Sequence, residues 1–291
     1  MFFNQKVLNE DVQMCSLSKG SGPHLLIFGA IHGNETCGPE ALERIRFDID
    51  SGKISLKQGT VTWVPVCNPE AFKNGARYVE ENLNRVFEVS SNVKSYEERL
   101  AQVLCPLFAG ADFFLDLHSM QSEGDPFVFL NESTEASRVF CESLGLPYLL
   151  EGWPAAYRKM PQFRSACTQT FADKLNIPNA LVECGRHGTA ESAQVGYESV
   201  KAALKYLDMI PPESSSGSTK KPIAIEMKDI ILRENAGDSL ARDWRNFDPI
   251  KKGDLLATRS SGVEILAPYS GYMILPSPDS NVGTELFYLG T

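Results

Sequence analysis

Five short apolar runs punctuate the first two thirds of the chain: "HLLIFGAI" (24–31), "GTVTWVPVCN" (59–68), "DFFLDLHS" (112–119), "DPFVFLN" (125–131) and "NALVECG" (179–185). Their length and their content of branched and aromatic residues predict strands. Between them the period changes to that of a helix. In "SYEERLAQVLCPLF", Leu100, Val103, Leu104 and Leu107 recur at helical spacing, and Ser95 with Glu98 forms a candidate capping box. "STEASRVFCESLG" offers Ser133 or Thr134 as a cap and Gly145 as a stop, and "SAQVGYESVKAALKYL" carries Val195, Val200, Leu204 and Leu207 on one side. Strands alternating with helices predict an α/β domain, with a mostly parallel mixed sheet covered by helices on both faces.

The texture changes after "PPESSSGSTKKP" (211–222), which has almost nothing to bury and reads as a linker. Beyond it, runs such as "VEILAPYSGYMILPSP" and "TELFYLG" are broken by Gly, Pro, Asp and Ser, as in a small all-β module. The expected division is 1–212 for the α/β domain, 213–221 for the linker and 222–291 for the β domain.

Composition narrows the class. The chain has 291 residues, 43% hydrophobic and 22% charged, ordinary values for a globular protein. A net charge of -9 argues against a nucleic-acid partner. No apolar stretch is long enough to cross a membrane, and the start lacks a basic region followed by an apolar core. Seven scattered cysteines without a CxxC pair read as reduced thiols, so a cytoplasmic location is expected. A homo-oligomer is left open.

The candidate chemistry sits at strand ends, where open α/β sheets gather their ligands. "LLIFGAI" runs into His32 and Glu35, "FFLDL" into His118 and "NALV" into Glu183. Two imidazoles and one carboxylate, His32, Glu35 and His118, suit zinc with a fourth position open for water. Asp116, two residues before His118, shares its face of the strand and can hydrogen-bond a ligand imidazole. Taken singly, His32 or His118 is equally an ordinary polar residue, and an H-x-x-E spacing arises often by chance. Glu183 is harder to set aside, because an acid at the end of an apolar strand is costly to bury alone. His24, at the opposite end of its strand, reads as surface. His187 divides evenly between site rim and loop. Arg77, Asn84 and Arg85 lie in "NPEAFKNGARYVEENLNRVF", which alone is a solvated loop of mixed charge. Together they offer a carboxylate clamp in Asn84 and Arg85, with Arg77 free to stabilise an oxyanion.

"GAIHGNE", "NPEAFKNGARYVEENLNRVF", "DLHS" and "LVECG" follow one another as in the succinylglutamate desuccinylase/aspartoacylase family, a branch of the zinc carboxypeptidase-like hydrolases. The resemblance spans roughly residues 25–208 and extends to a trailing β domain. It implies that His32, Glu35 and His118 hold one zinc ion per chain. It implies that Glu183 activates water and then protonates the leaving amine. By the same resemblance Arg77 polarises the scissile carbonyl, and Asn84 and Arg85 hold a substrate carboxylate. The chain departs from the family pattern at Asn82, which replaces an acid, and in "DLHSMQSEG" after the third ligand. The segment "RSACTQTFADKL" lacks an arginine that aspartoacylases place there, for which Lys174 or Arg164 could substitute. The expected activity is zinc-dependent hydrolysis of the amide of a small N-acyl amino acid or related compound. The alternatives are a metallocarboxypeptidase acting on peptides and an inactive zinc-binding or docking protein. The acyl group and the amino acid are not legible, and Cys184 reads as a small apolar filler.

Overall fold

The computed structural model of the chain describes residues 4–132, 134–160, 166–212 and 221–291. β1 (Asn4–Val7) and β2 (Gln13–Lys19) form an antiparallel pair, followed by β3 (His24–Gly29), α1 (Cys37–Asp50), β4 (Gly59–Val64) and the short α2 (Pro69–Lys73). Then come α3 (Tyr96–Leu104), β5 (Phe113–Met120), β6 (Phe127–Phe129), α4 (Glu135–Ser143), β7 (Tyr148–Glu151) and α5 (Trp153–Arg158). α6 (Thr168–Lys174), β8 (Asn179–Arg186) and α7 (Ala190–Tyr206) complete the helical part. The rest is β9 (Ile223–Leu232), β10 (Ser239–Leu240), β11 (Pro249–Ile250), β12 (Leu255–Thr258), β13 (Glu264–Leu266), β14 (Gly271–Ile274) and β15 (Glu285–Gly290).

Among the described residues, twelve strands form one sheet in the order β1-β2-β4-β3-β5-β8-β6-β7-β9-β15-β14-β11. The pairs of β3 with β4 and β5, and of β5 with β8, are parallel, as are β6 with β7 and β7 with β9; β6 runs antiparallel to β8. The sheet is therefore mixed, with a parallel centre. Alternate residues of β3 explain the two layers of helices. Leu25 and Ile27 pack with α1, α4 and α7, whereas Leu26 and Phe28 face the side of α3 and α6. Each face is buried by helices, which is why these strands are apolar on both sides.

Local chemistry sets the helix boundaries. Ser95 and Glu98 form the expected capping box on α3, which stops at Leu104 and continues as a 3-10 turn over residues 105–108. Pro106 removes the amide an α-helix would need there. Thr134 caps α4 through the Ser137 amide, while its rival Ser133 lies outside the described residues, as do Arg164 and residues 213–220 of the linker. Thr189 caps α7 in the same way.

The sheet does not end with the helical part. β9 pairs with β7 through Tyr148–Ile223 to Glu151–Glu226, and β15 pairs with β9 on its other side. Ile225 and Met227 of β9 share one apolar cluster with Phe127, Leu150 and Tyr157. β10, β12 and β13 form a separate three-stranded sheet over a second cluster that includes Trp244, Leu256 and Phe287.

Candidate active site

The carboxyl ends of β3, β5 and β8 meet at one point. β3 stops at Gly29, and Ala30 adopts a φ of 45°, a turn that carries the chain off the sheet toward His32. The next loop is held from below: the amides of Cys67 and Asn68 donate to the carbonyls of Gly29 and Ala30 at 3.0 and 3.1 Å. The Gly33 amide donates to the Arg77 carbonyl at 3.2 Å. On the neighbouring strands His118 and Glu183 are register partners, so both emerge on the same face. Just past them the register shifts, with the extra residue on β8 between Glu183 and Arg186, and on β5 the Ser119 amide donates to Glu35 Oε2 at 3.0 Å.

His32, Glu35 and His118 are buried, and their donor atoms lie within 4.8 Å of one another. Both imidazoles present Nδ1 to the centre. His32 Nδ1 is 2.8 Å from Glu35 Oε1, and His118 Nδ1 is 2.9 Å from Glu35 Oε2. Their other nitrogens face oxygens of a further layer, His32 Nε2 hydrogen-bonded to Asn82 Oδ1 at 3.0 Å and His118 Nε2 within ion-pair distance of Asp116 Oδ2, at 3.1 Å but without hydrogen-bond geometry. Thr168 Oγ1 donates to the same Asp116 oxygen at 2.6 Å. Rings steered in this way by an oxygen on the far nitrogen match how metal-binding histidines are oriented. The cluster thus fits a divalent ion by the chemistry and spacing of its donors.

Electrostatics separates the groups. Burial, helped by the Arg77 guanidinium, lowers the His32 pKa to about 3. Burial acts the same way on His118, but the carboxylates of Asp116 and Glu35 outweigh it and hold the ring well above 6.5. Glu35 feels burial raising its pKa, yet the two imidazoles draw it well below the usual carboxylate range. Glu183 goes the other way: burial first, then the Glu35 charge, pushes it up to about 8. Its Oε2 is enclosed without a hydrogen-bond partner among the described residues.

Arg77 reaches Glu35 Oε1 with Nη1 at 3.1 Å and stays substantially exposed. Asn84 is buried. Its Oδ1 accepts from the Thr168 amide at 3.0 Å, which leaves the amide NH2 as the free end. Arg85 donates to the Asn84 carbonyl at 2.9 Å and to the Tyr157 hydroxyl at 3.1 Å, and lies 3.4 Å from Glu285. All seven residues expected from the sequence line one cavity of about 510 Å³. Lys174 is exposed at the end of α6 and is not part of that lining. His187 does line it, with Nδ1 2.8 Å from Ser119 Oγ. His24 is at the other end of β3, where it bonds the Gly110 carbonyl and Thr62.

Sequence reasoning missed two sets of residues. Glu97 is fully buried, and its carboxylate accepts from the amides of Val79, Glu80 and Glu81 and from Asn68 Nδ2, at 2.7 to 3.2 Å. It holds the loop that carries Arg77, Asn84 and Arg85. An acid in the first turn of a helix gives no signal of this, since the amides come from outside the helix. The second set is Tyr157, Glu285 and Tyr288 around Arg85, of which Glu285 and Tyr288 line the cavity and Tyr157 accepts from Arg85 Nη2 behind it. Tyr157 donates to Glu285, and the two tyrosine hydroxyls are 3.0 Å apart. These residues are far from Arg85 in the chain, and only the added strands bring them together.

A sheet with a parallel centre that delivers two imidazoles and a carboxylate to one cavity defines an α/β protein with a side-chain group able to hold a metal ion. The catalytic-domain model of the succinylglutamate desuccinylase/aspartoacylase family matches residues 21–195. A succinylglutamate desuccinylase from Pseudomonas aeruginosa (strain UCBPP-PA14) is 36% identical over 288 residues, covering 90% of this chain and 82% of its own. One from Pseudomonas fluorescens (strain Pf-5) is 40% identical over 280 residues, covering 90% and 81%. Among solved structures, the product-bound ectoine utilization protein EutE (DoeB) from Ruegeria pomeroyi superposes with a TM-score of 0.79 at 21% identity, over 100% of this chain and 94% of its own. A succinylglutamate desuccinylase/aspartoacylase from Rhodobacter sphaeroides gives 0.78 at 15% identity, over 96% and 88%. The chain belongs to the succinylglutamate desuccinylase/aspartoacylase family. That makes it a deacylase of the N-acyl amino acid class, a hydrolase of an amide bond. Among the described residues, no helix is long and apolar enough to cross a membrane.

Proposed function

We propose that the protein is a zinc-dependent hydrolase of a small N-acyl amino acid, with His32, Glu35 and His118 as the zinc ligands. The observation that carries this reading is the inward presentation of both Nδ1 atoms on Glu35, with Glu183 Oε2 enclosed and unpartnered in the same cavity. Zinc bound there would polarise a carbonyl and make water more acidic.

Each remaining step belongs to the chain itself. Asn84 and Arg85 hold the carboxylate of the amino acid, Arg85 through its planar fork and Asn84 through its amide NH2. Arg77 offers N–H groups to the oxygen on which negative charge develops. Glu183 takes the proton of the attacking water and then hands it to the leaving nitrogen. Burial and then the Glu35 charge raise the Glu183 pKa to about 8, and a cation held by His32, Glu35 and His118 would act against the second of these and favour the carboxylate form. In this reading residues 1–212 carry the chemistry, and residues 222–291, joined through 213–221, supply the outer wall. A cavity of about 510 Å³, with Leu275, Ser277 and Glu285 in its lining, supports a small substrate over a peptide.

Glu183→Gln tests the assignment. It should cut turnover of a responsive N-acyl amino acid by about 10²- to 10⁴-fold and leave the zinc content unchanged. A zinc-loaded variant with near wild-type turnover would remove Glu183 from that role.

A further inference from the structure

The part of the cavity formed by the ends of β5 and β8 carries polar atoms that neither the metal cluster nor the proton transfer uses. His187 is fixed at two points: its backbone amide donates to the Met120 carbonyl at 2.9 Å, and its Nδ1 lies 2.8 Å from Ser119 Oγ. The other ring nitrogen, Nε2, is enclosed and has no hydrogen-bond partner among the described residues. Ser122 Oγ, four residues past His118, is in the same condition. Both residues line the cavity that holds the triad and Glu183. Buried polar atoms are rarely left unpaired in a native fold, and each that is calls for an explanation. A histidine merely filling a loop would have its second nitrogen in water or against a carbonyl.

The His187 and Ser122 side chains are themselves neutral. Burial lowers the pKa of His187, so the ring is uncharged at neutral pH. The two guanidinium groups in the described lining, Arg77 and Arg85, both come from the loop over residues 77–85. The two ends of a substrate therefore meet different chemistry, a cationic clamp at one side and neutral donors at the other.

We infer that His187 Nε2, together with Ser122 Oγ, forms a neutral hydrogen-bonding subsite for the acyl part of the substrate, selecting acyl groups that carry an oxygen beyond the scissile carbonyl. The inference rests on the reading that Asn84 and Arg85 take the carboxylate of the amino acid. The subsite takes the tautomer in which the Ser119 hydroxyl donates to Nδ1 and the ring proton is on Nε2, so that Nε2 donates to a hydroxyl, keto or carboxylate oxygen of the acyl chain. A plain alkyl group of the same length would bury both donors unpaired. Such a mismatch is rejected far more strongly than a missing methylene.

The test compares matched acyl groups on one amino acid, glycolyl against its isostere propionyl and succinyl against its isostere 4-methylpentanoyl, using zinc-loaded protein. Wild type should favour the oxygen-bearing member of each pair in kcat/KM by about tenfold or more. His187→Ala should bring that ratio close to one, by loss on the oxygen-bearing substrates, with zinc content unchanged. His187→Gln, whose amide still donates, should keep part of the preference, which guards against a variant that merely folds poorly. An unchanged ratio, or an equal loss on both members of a pair, would overturn the subsite. Failure of wild type to hydrolyse any acylated amino acid would instead overturn the deacylase reading, and the subsite with it.

Discussion

The two histidines of the cluster are not equivalent, and the difference lies in one neighbour each. His32 turns its outer nitrogen to the neutral amide of Asn82 and sits in the field of Arg77, whereas His118 faces the carboxylate of Asp116. Burial lowers both, but only His118 has anions on two sides to reverse it. His32 is accordingly ready to donate at neutral pH, while His118 holds a proton that a metal must displace. The sign follows directly. Below the raised pKa of His118, zinc affinity should climb by about tenfold for each pH unit, because one proton leaves for each ion bound. A competition titration with a chelator at several pH values measures this. Affinity that does not vary with pH would show His118 to be neutral already.

At the scale of the elements, the site depends on a close approach between the loop after β3 and α2. Gly33 lies between His32 and Glu35, and a Cβ there would fall 2.2 Å from the Ala71 carbonyl carbon and 2.3 Å from the Phe72 nitrogen. Both are backbone atoms that cannot swing aside. Gly33→Ala should therefore cost about 1–3 kcal/mol of stability or more and weaken zinc binding, since both flanking ligands must move. Denaturant unfolding and the chelator titration would show it, and a variant unchanged in both would contradict the packing described here. The same elements show what the sequence could reveal. The central strands, the capping box of α3 and the order of the chemical groups were legible, because apolar runs, local capping and strand ends leave short-range signals. β1, β2, β7 and the helix from Cys37 to Asp50 were not singled out. They are short, exposed or mixed in pattern, and long-range pairing decides them. Glu97 was missed for a related reason: its role consists of amides donated by residues 79–81, which no local pattern reveals.

In the whole molecule, the C-terminal strands are joined to the sheet by pairing of β9 with β7 and by a shared apolar cluster. Their contribution to the site is chemical as well as steric. Glu285 and Tyr288 of β15 and Tyr157 of α5 surround Arg85, and the Glu285 carboxylate partly balances its charge. Three strand ends supply His32, Glu35, His118 and Glu183, a loop pinned by Glu97 supplies Arg77, Asn84 and Arg85, and the added strands complete the pocket. The proposed function depends on a zinc ion being held by His32, Glu35 and His118. Elemental analysis of purified protein, wild type beside His118→Ala and Glu35→Gln, tests it most directly. One zinc ion per chain is expected in the wild type, with its loss from both folded variants. Zinc retained at full stoichiometry in either variant, or a wild-type chain unable to bind it, would contradict it.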